Sequence, residues 1–265
     1  ITRDRAYHGS TYLTASLNGK DRDKNKFDFE KNFIHHLSSP LPYRRRKNQT
    51  IEEFCDEKVK EFEDKIIEIG PEKIAAYIAE PILASGGCIV PPKGYIKRFW
   101  DLCKKYDILY ISDEVVTSFG RLGHFFSSEE VFGIIPDIIT TAKGITSGYM
   151  PLGAVLFSDR LMENVKKESS LFFHGYTYSG HPACCTAALK NIEIIKRDKI
   201  LEHVRNIAPY FQKKLKNLIN IPIVGDVRGE GMMTGIECVM NKDSKEALVL
   251  DQAIGNRIDE ESLRL

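Results

Sequence analysis

Between residues 108 and 157 three short apolar runs each begin or end at a charged, small or turn-forming residue, and this stretch limits the fold more than any other. Residues 108–112 are apolar, β-branched and aromatic, and stop at Asp113-Glu114. Residues 137–141 repeat the pattern and stop at Lys143-Gly144. Residues 152–157 form a third run, entered through Pro151. Short β-branched runs bounded by turn residues read as buried strands. Open α/β sheets hold ligands in the crevice beyond the carboxyl ends of their strands. If the first two strands are parallel neighbours, Asp113 and Lys143 emerge on one rim. A lysine and a carboxylate facing one pocket suggest imine chemistry with a buried acid partner.

The flanking chain supports a strand-and-helix alternation. Thr50 with Glu53 fits a capping box, and the helix behind it carries Ile51, Phe54, Phe62, Ile66 and Ile69 near one face until Gly70-Pro71 ends it. Residues 74–79 form another strand candidate that stops at Glu80-Pro81, before a helix over residues 93–106. This alternation argues for βαβ units and a mainly parallel sheet, and it adds Glu80 to the charged groups on the rim. Further helices are expected over residues 160–167, 182–196 and 200–218. From Ile221 two strands flank a glycine turn, with a helix beginning near Asp243, which reads as the start of a smaller α+β domain. The expected division is residues 1–218 and 219–265.

Balance of charge excludes some partners. Lys plus Arg number 38 against 37 Asp plus Glu, so no global field draws nucleic acid or a membrane surface. The run Arg44-Arg45-Arg46-Lys47 is a local candidate for phosphate or nucleic acid, or a solvated face. There is no apolar run of membrane-spanning length and no secretory leader pattern. Six cysteines without a C-x-x-C pair fit a reduced, cytoplasmic setting better than a disulfide framework. His174 and His181 invite a zinc reading, but no third ligand stands at a suitable spacing. The start at ITRDRAYHG and the end at SLRL lead us to expect a piece of a longer polypeptide.

A pyridoxal phosphate enzyme needs four groups. A lysine holds the aldehyde as a Schiff base and must reach a neutral form, which partial burial promotes. A carboxylate on the pyridine nitrogen keeps the ring an electron sink. Apolar walls sandwich the ring, and donors hold the phosphate. Lys143, Asp113, Val115 with Tyr7, and Thr177 can fill these roles. Tyr7-His8-Gly9-Ser10 is then an aromatic lid over a flat ligand, or else an ordinary turn. On residues alone, a sheet-edge hydrolase and a nucleotide-binding protein stay open, as does a metal-dependent hydrolase using Asp113, Glu114 and His124.

AYHGST, AEPI followed by Gly86-Gly87, SDEVVTSFGRLG, DIITTAKGITSGYMPLGAV and HGYTYSGHP occur in this order. Together they resemble the class III pyridoxal phosphate-dependent aminotransferases of fold type I, most of all the omega-amino acid:pyruvate branch. The resemblance covers residues 1–239. It implies a mainly parallel, seven-stranded-type sheet flanked by helices, followed by a smaller α+β domain. It implies a transaminase moving an amino group from an amine or omega-amino acid to pyruvate or another 2-oxo acid by a ping-pong route. Lys143 would carry the cofactor and Asp113 would pair with its ring nitrogen. Val115 would pack on one face and Tyr7 on the other, with His8 and Gly9 beside it. Glu80 would lie near the substrate, able to pair with a mobile arginine for which the chain offers no matching motif. Thr177, with Tyr176, would reach the phosphate of a neighbouring subunit, which implies an obligate homodimer with shared sites. The family's Gly-Ser phosphate cup before the Tyr-His-Gly segment is not in this chain. A same-fold aminomutase or decarboxylase is the near rival, and a non-catalytic fragment that only dimerises is the other.

Overall fold

The computed structural model describes residues 1–20, 24, 27–167, 174–248 and 251–264. In chain order the elements are β1 (Thr2–Arg3), α1 (Tyr12–Leu17), β2 (His36–Leu37), α2 (Ile51–Ile69), β3 (Ala76–Ala79), α3 (Tyr95–Lys105), β4 (Leu109–Asp113), α4 (Ser127–Glu130), β5 (Ile138–Thr141) and β6 (Ala154–Phe157). They continue with α5 (Asp159–Lys167), α6 (Pro182–Arg197), α7 (Ile200–Lys216), β7 (Val224–Glu230), β8 (Met233–Asn241), β9 (Glu246–Ala247) and α8 (Asp251–Ser262).

The central sheet has the order β3-β4-β5-β6; the first three strands are parallel and β6 runs antiparallel to β5. The fold is therefore α/β with a mixed sheet, and of the seven strands expected the described residues supply four. β1 pairs with β2 beside this sheet, and Ile1 bonds to Ala76 and Ile78 of β3. That strand brings the first residues of the chain to the rim at Glu80.

Strand alternation decides which side is core. Tyr77 and Ala79 on β3, and Tyr110 and Ser112 on β4, are buried, while Ala76, Ile78, Leu109 and Ile111 are half-buried on the other face. On the buried face α2 and α3 supply Phe62 and Phe99, whose rings stack with centroids 4.6 Å apart, and Tyr77 tilts against both. Such pairs add about 0.5–1.5 kcal/mol each beyond the area they bury. The capping box is formed as expected: Thr50 accepts from the Glu53 amide at 3.1 Å, and Glu53 accepts from the Thr50 amide at 2.8 Å. Its loss would cost about 1 kcal/mol.

One expected helix is displaced. The chain after β8 does not start a helix near Asp243; Asn241 Oδ1 accepts from the amides of Asp243 and Ser244 at 2.8 and 3.1 Å, making a turn into β9. An Asn side chain that mimics a backbone turn competes with helix formation. The helix begins at Asp251.

Candidate active site

Asp113 lies opposite Thr140 in the parallel register of β4 and β5, so both strands deliver the chain to one rim. From β5 it passes Thr141 and Ala142 and turns at Lys143, where φ is 45°. Left-handed backbone at a side-chain-bearing residue is uncommon, and such residues collect at functional sites. Asn191 on α6 steadies the turn, its Nδ2 donating to the carbonyls of Gly144 and Ile145 at 2.9 and 3.1 Å.

Asp113 is buried and held on two sides. His8 Nδ1 lies 2.7 Å from Oδ2, and the Val115 amide donates to Oδ1 at 3.2 Å. The other ring nitrogen of His8 faces Thr2 Oγ1 at 3.2 Å, which makes a line Thr2–His8–Asp113. Asn18 fixes the histidine's backbone: its Oδ1 accepts from the His8 amide at 2.6 Å and its Nδ2 donates to the Gly9 carbonyl at 2.9 Å. Thr2 and Asn18 carry no motif that marks them in the sequence. They are recruited only because β1 lies along β3.

Glu80 is also buried. Its two carboxylate oxygens accept from the amides of Tyr7 and Ala84, each at 3.0 Å. Burial pushes this carboxyl above the usual glutamate range, opposed by those amides and by His8 and Arg3. Arg3 itself is fully buried and donates to the Glu80 carbonyl, tying β1 to the end of β3.

Tyr7, His8, Glu80, Asp113, Val115 and Lys143 line one cavity of about 290 Å³, and Gly9 borders it. The expected convergence of amine and acid is present. The cavity is apolar along Val115, Val116 and Ile82, with Asp113 and Lys143 both facing it. These residues fit pyridoxal phosphate at two of its ends. A buried carboxylate paired with a histidine rather than with Arg or Lys can accept a bond from a protonated ring nitrogen, and a primary amine can meet an aldehyde. One expectation changes: Lys143 is exposed, not partly buried.

Other candidates do not converge here. Tyr176 and Thr177 sit in an exposed turn, held where the Tyr176 amide donates to Ser179 Oγ at 2.9 Å, and they do not line the cavity of their own chain. Glu114, adjacent to Asp113, points the other way. Its carboxylate takes bonds from the amides and hydroxyls of Ser127 and Ser128 and from the Thr117 hydroxyl, at 2.6–3.0 Å, with the residue fully buried. So saturated a carboxylate has no lone pair left for a metal, and His124 faces Glu130 at 3.9 Å instead, which removes the basis of the metal-dependent hydrolase. The basic run is likewise engaged: Arg44 pairs with Glu237, Arg45 donates to the Gln49 carbonyl, and Arg46 pairs with Glu57.

Comparison with known proteins agrees with this geometry. The family described as Aminotransferase class-III matches residues 1–258. A probable gamma-aminobutyrate transaminase 3, mitochondrial, of Oryza sativa subsp. indica is 42% identical over 260 residues, 97% of this chain and 51% of that protein. The putrescine–pyruvate aminotransferase of Pseudomonas aeruginosa is 42% identical over 256 residues, 96% of this chain and 56% of that protein. Among solved structures, an (S)-enantioselective omega-transaminase from Thermomicrobium roseum superposes with a TM-score of 0.93 at 40% identity, covering 99% of this chain and 58% of that one. The chain spans about half the length of the relatives it matches.

Proposed function

The chain belongs to the class III aminotransferase family, and from this premise we propose that its rim cavity takes pyridoxal 5'-phosphate and serves transamination. The amino group would move from an amine or omega-amino acid to pyruvate or another 2-oxo acid in a two-stage, ping-pong exchange. The observation that carries the reading is that Lys143 and Asp113 line one cavity with an apolar wall between them.

When bound, the cofactor supplies an electron sink for the substrate carbon beside the amine. Lys143 Nζ would hold the cofactor through its aldehyde, and its amine, when free, would serve as the base that carries a proton from the substrate carbon to the cofactor. Asp113 would hold the cofactor's ring nitrogen in its protonated form. His8, backed by Thr2, and the Val115 amide keep that carboxylate oriented. Val115 and Tyr7, with Gly9 beside it, would hold the ring. Glu80, held by two amides, would stand near the substrate. Tyr176 and Thr177, exposed in their own chain, are proposed to reach the phosphate in a second subunit, making a homodimer with shared sites.

The names of the relatives are those of transaminases, which does not favour an aminomutase or decarboxylase. Residues 219–265 are proposed as the start of a smaller domain, in keeping with the three-stranded antiparallel sheet β7-β8-β9. The cytoplasm is the proposed location, in keeping with the lack of a C-x-x-C pair among the six cysteines. Plant relatives are named mitochondrial or chloroplastic. Among the described residues no helix is long and apolar enough to cross a membrane.

The test is covalent capture. Borohydride added to the whole protein with pyridoxal phosphate should fix the cofactor on the peptide containing Lys143, and Lys143→Ala should abolish both capture and turnover. Capture on a different lysine, or unaltered turnover by the variant, would end the assignment.

A further inference from the structure

A loop that walls the rim cavity is held from outside the central sheet. Ala84 and Ser85 line the cavity beside Glu80. The Ala84 amide is also one of the two donors that fix the Glu80 carboxylate, at 3.0 Å. Leu83 and Ile89 close the base of this loop with paired backbone bonds of 3.1 and 3.0 Å. Inside it the amides of Gly87 and Cys88 both turn back to the Ala84 carbonyl, at 3.2 and 2.9 Å. The reversal needs φ of 117° at Gly87 and 47° at Cys88. Left-handed backbone at a cysteine is unfavourable and persists only where the surroundings impose it.

What imposes it comes from β7. Arg228 reaches out of its own sheet and donates from Nε and Nη2 to the Gly87 carbonyl, at 2.9 and 2.6 Å, across 141 positions of the chain. Its Nη1 donates to Asp226 Oδ2 at 2.9 Å and to Glu237 Oε2 at 2.7 Å, so two carboxylates aim the fork. Glu237 accepts from Arg44 as well. Burial would raise the Glu237 carboxyl, but Arg44 and Arg228 outweigh it and hold the group below the usual glutamate range. β8 presses on the same carbonyl, since a Cβ on Gly235 would lie 2.6 Å from the Gly87 oxygen. A planar guanidinium locked along one edge by acids presents its other edge in a single direction. Pairing β7 with β8 requires neither bond to Gly87.

We propose that Arg228 is a positioning residue for the rim cavity: by clamping the Gly87 carbonyl it fixes residues 83–89, and through the Ala84 amide it sets the direction of the Glu80 carboxylate. Its effect on turnover rests on the transaminase reading above, whereas its effect on the loop and on Glu80 does not. The smaller sheet β7-β8-β9 thereby shapes a site to which it contributes no lining residue.

Loop and reaction are tested separately. In the whole protein, with and without pyridoxal phosphate, Arg228→Gln should speed hydrogen exchange about tenfold in peptides covering residues 83–89 and leave peptides from β4 and β5 unmoved. Arg228→Lys should restore part of the protection. Gly235→Ala, which crowds the carbonyl and removes no charge, should give the same local signature. In turnover with pyruvate and either 4-aminobutyrate or putrescine, Arg228→Gln should raise the donor KM about 3- to 10-fold and change kcat by less than about twofold. The clamp touches neither Asp113 nor the turn at Lys143. In a Glu80→Ala background, where no carboxylate is left to orient, the same substitution should move KM by less than about twofold. Unchanged exchange at residues 83–89, faster exchange throughout the chain, an unchanged donor KM, or equal KM effects with and without Glu80 would each overturn the proposal. If the cofactor-loaded wild type consumes neither donor, it is the transaminase reading that fails, and exchange at residues 83–89 still decides the clamp.

Discussion

The rim at the end of β4 and the exposed turn at residues 174–181 are both rich in polar and aromatic side chains, and they differ in what satisfies them. At the rim nearly every polar group has found a partner inside the chain: Asp113 has His8, Glu80 has two amides, and Glu114 has two serines and a threonine. At the turn, Tyr176 and Tyr178 are 77% and 79% exposed and the bonds are local. Large aromatic rings left in water are the usual mark of a surface intended for another molecule. The first region builds its own geometry; in the second the rings meet one another, His174 with Tyr176 and Tyr178 with His181.

Perturbing the rim should cost most. Asp113→Asn should lower turnover by about 10²–10⁴-fold while the protein still binds and colours with the cofactor, because an amide does not hold a proton on the ring nitrogen. Near-wild-type rates in stopped-flow assays would remove Asp113 from the reaction. Glu114→Gln touches neither cofactor nor substrate and should act on folding. Its amide group would face serine donors, and about 2–4 kcal/mol of stability should be lost, read from urea midpoints.

The turn should respond more weakly and in a different observable. Thr177→Ala is expected to weaken cofactor affinity about tenfold, the worth of one hydrogen bond to a phosphate, with the urea midpoint of the cofactor-free protein unmoved. A falling midpoint with unchanged affinity would mean that the turn serves its own subunit after all.

The smallest effect separates Glu80 from Asp113. Burial raises the Glu80 carboxyl above its unfolded value, so the folded state holds that proton more tightly than the unfolded chain does. The group's contribution is then fully present below the unfolded pKa and is lost as pH rises through the folded one. Measured against Glu80→Gln, the wild type should lose ground in chemical denaturation as pH rises above the ordinary glutamate range. A difference that is flat, or that moves in favour of the wild type, would contradict the burial argument.

Much of the rim is legible in the residues themselves. Strands that end at Asp113 and just before Lys143 are marked by β-branched runs and the turn residues after them, and a parallel pair must put both on one side. The capping box at Thr50 and Glu53 is equally local, and it formed as read. The helix expected near Asp243 was displaced because one asparagine side chain closed a turn, a contest that hydrophobic period does not report. The roles of Thr2, Asn18 and Glu114 were hidden for a different reason. Asp113 meets His8 across 105 positions, and Glu114 meets Ser127 and Ser128 across a loop whose path no short-range pattern encodes.

By itself, then, the order of residues determined the strands, the charged group at the end of each, and through its string of motifs the family. Tertiary structure alone decided that two neighbouring acids face opposite ways, that a histidine beside a glycine turn steadies one of them, and that Lys143 and Asp113 line one cavity. The physical reason is that strand identity depends on side chains a few positions apart, whereas the direction, burial and partners of a charge depend on which distant segments the packed sheet brings against it.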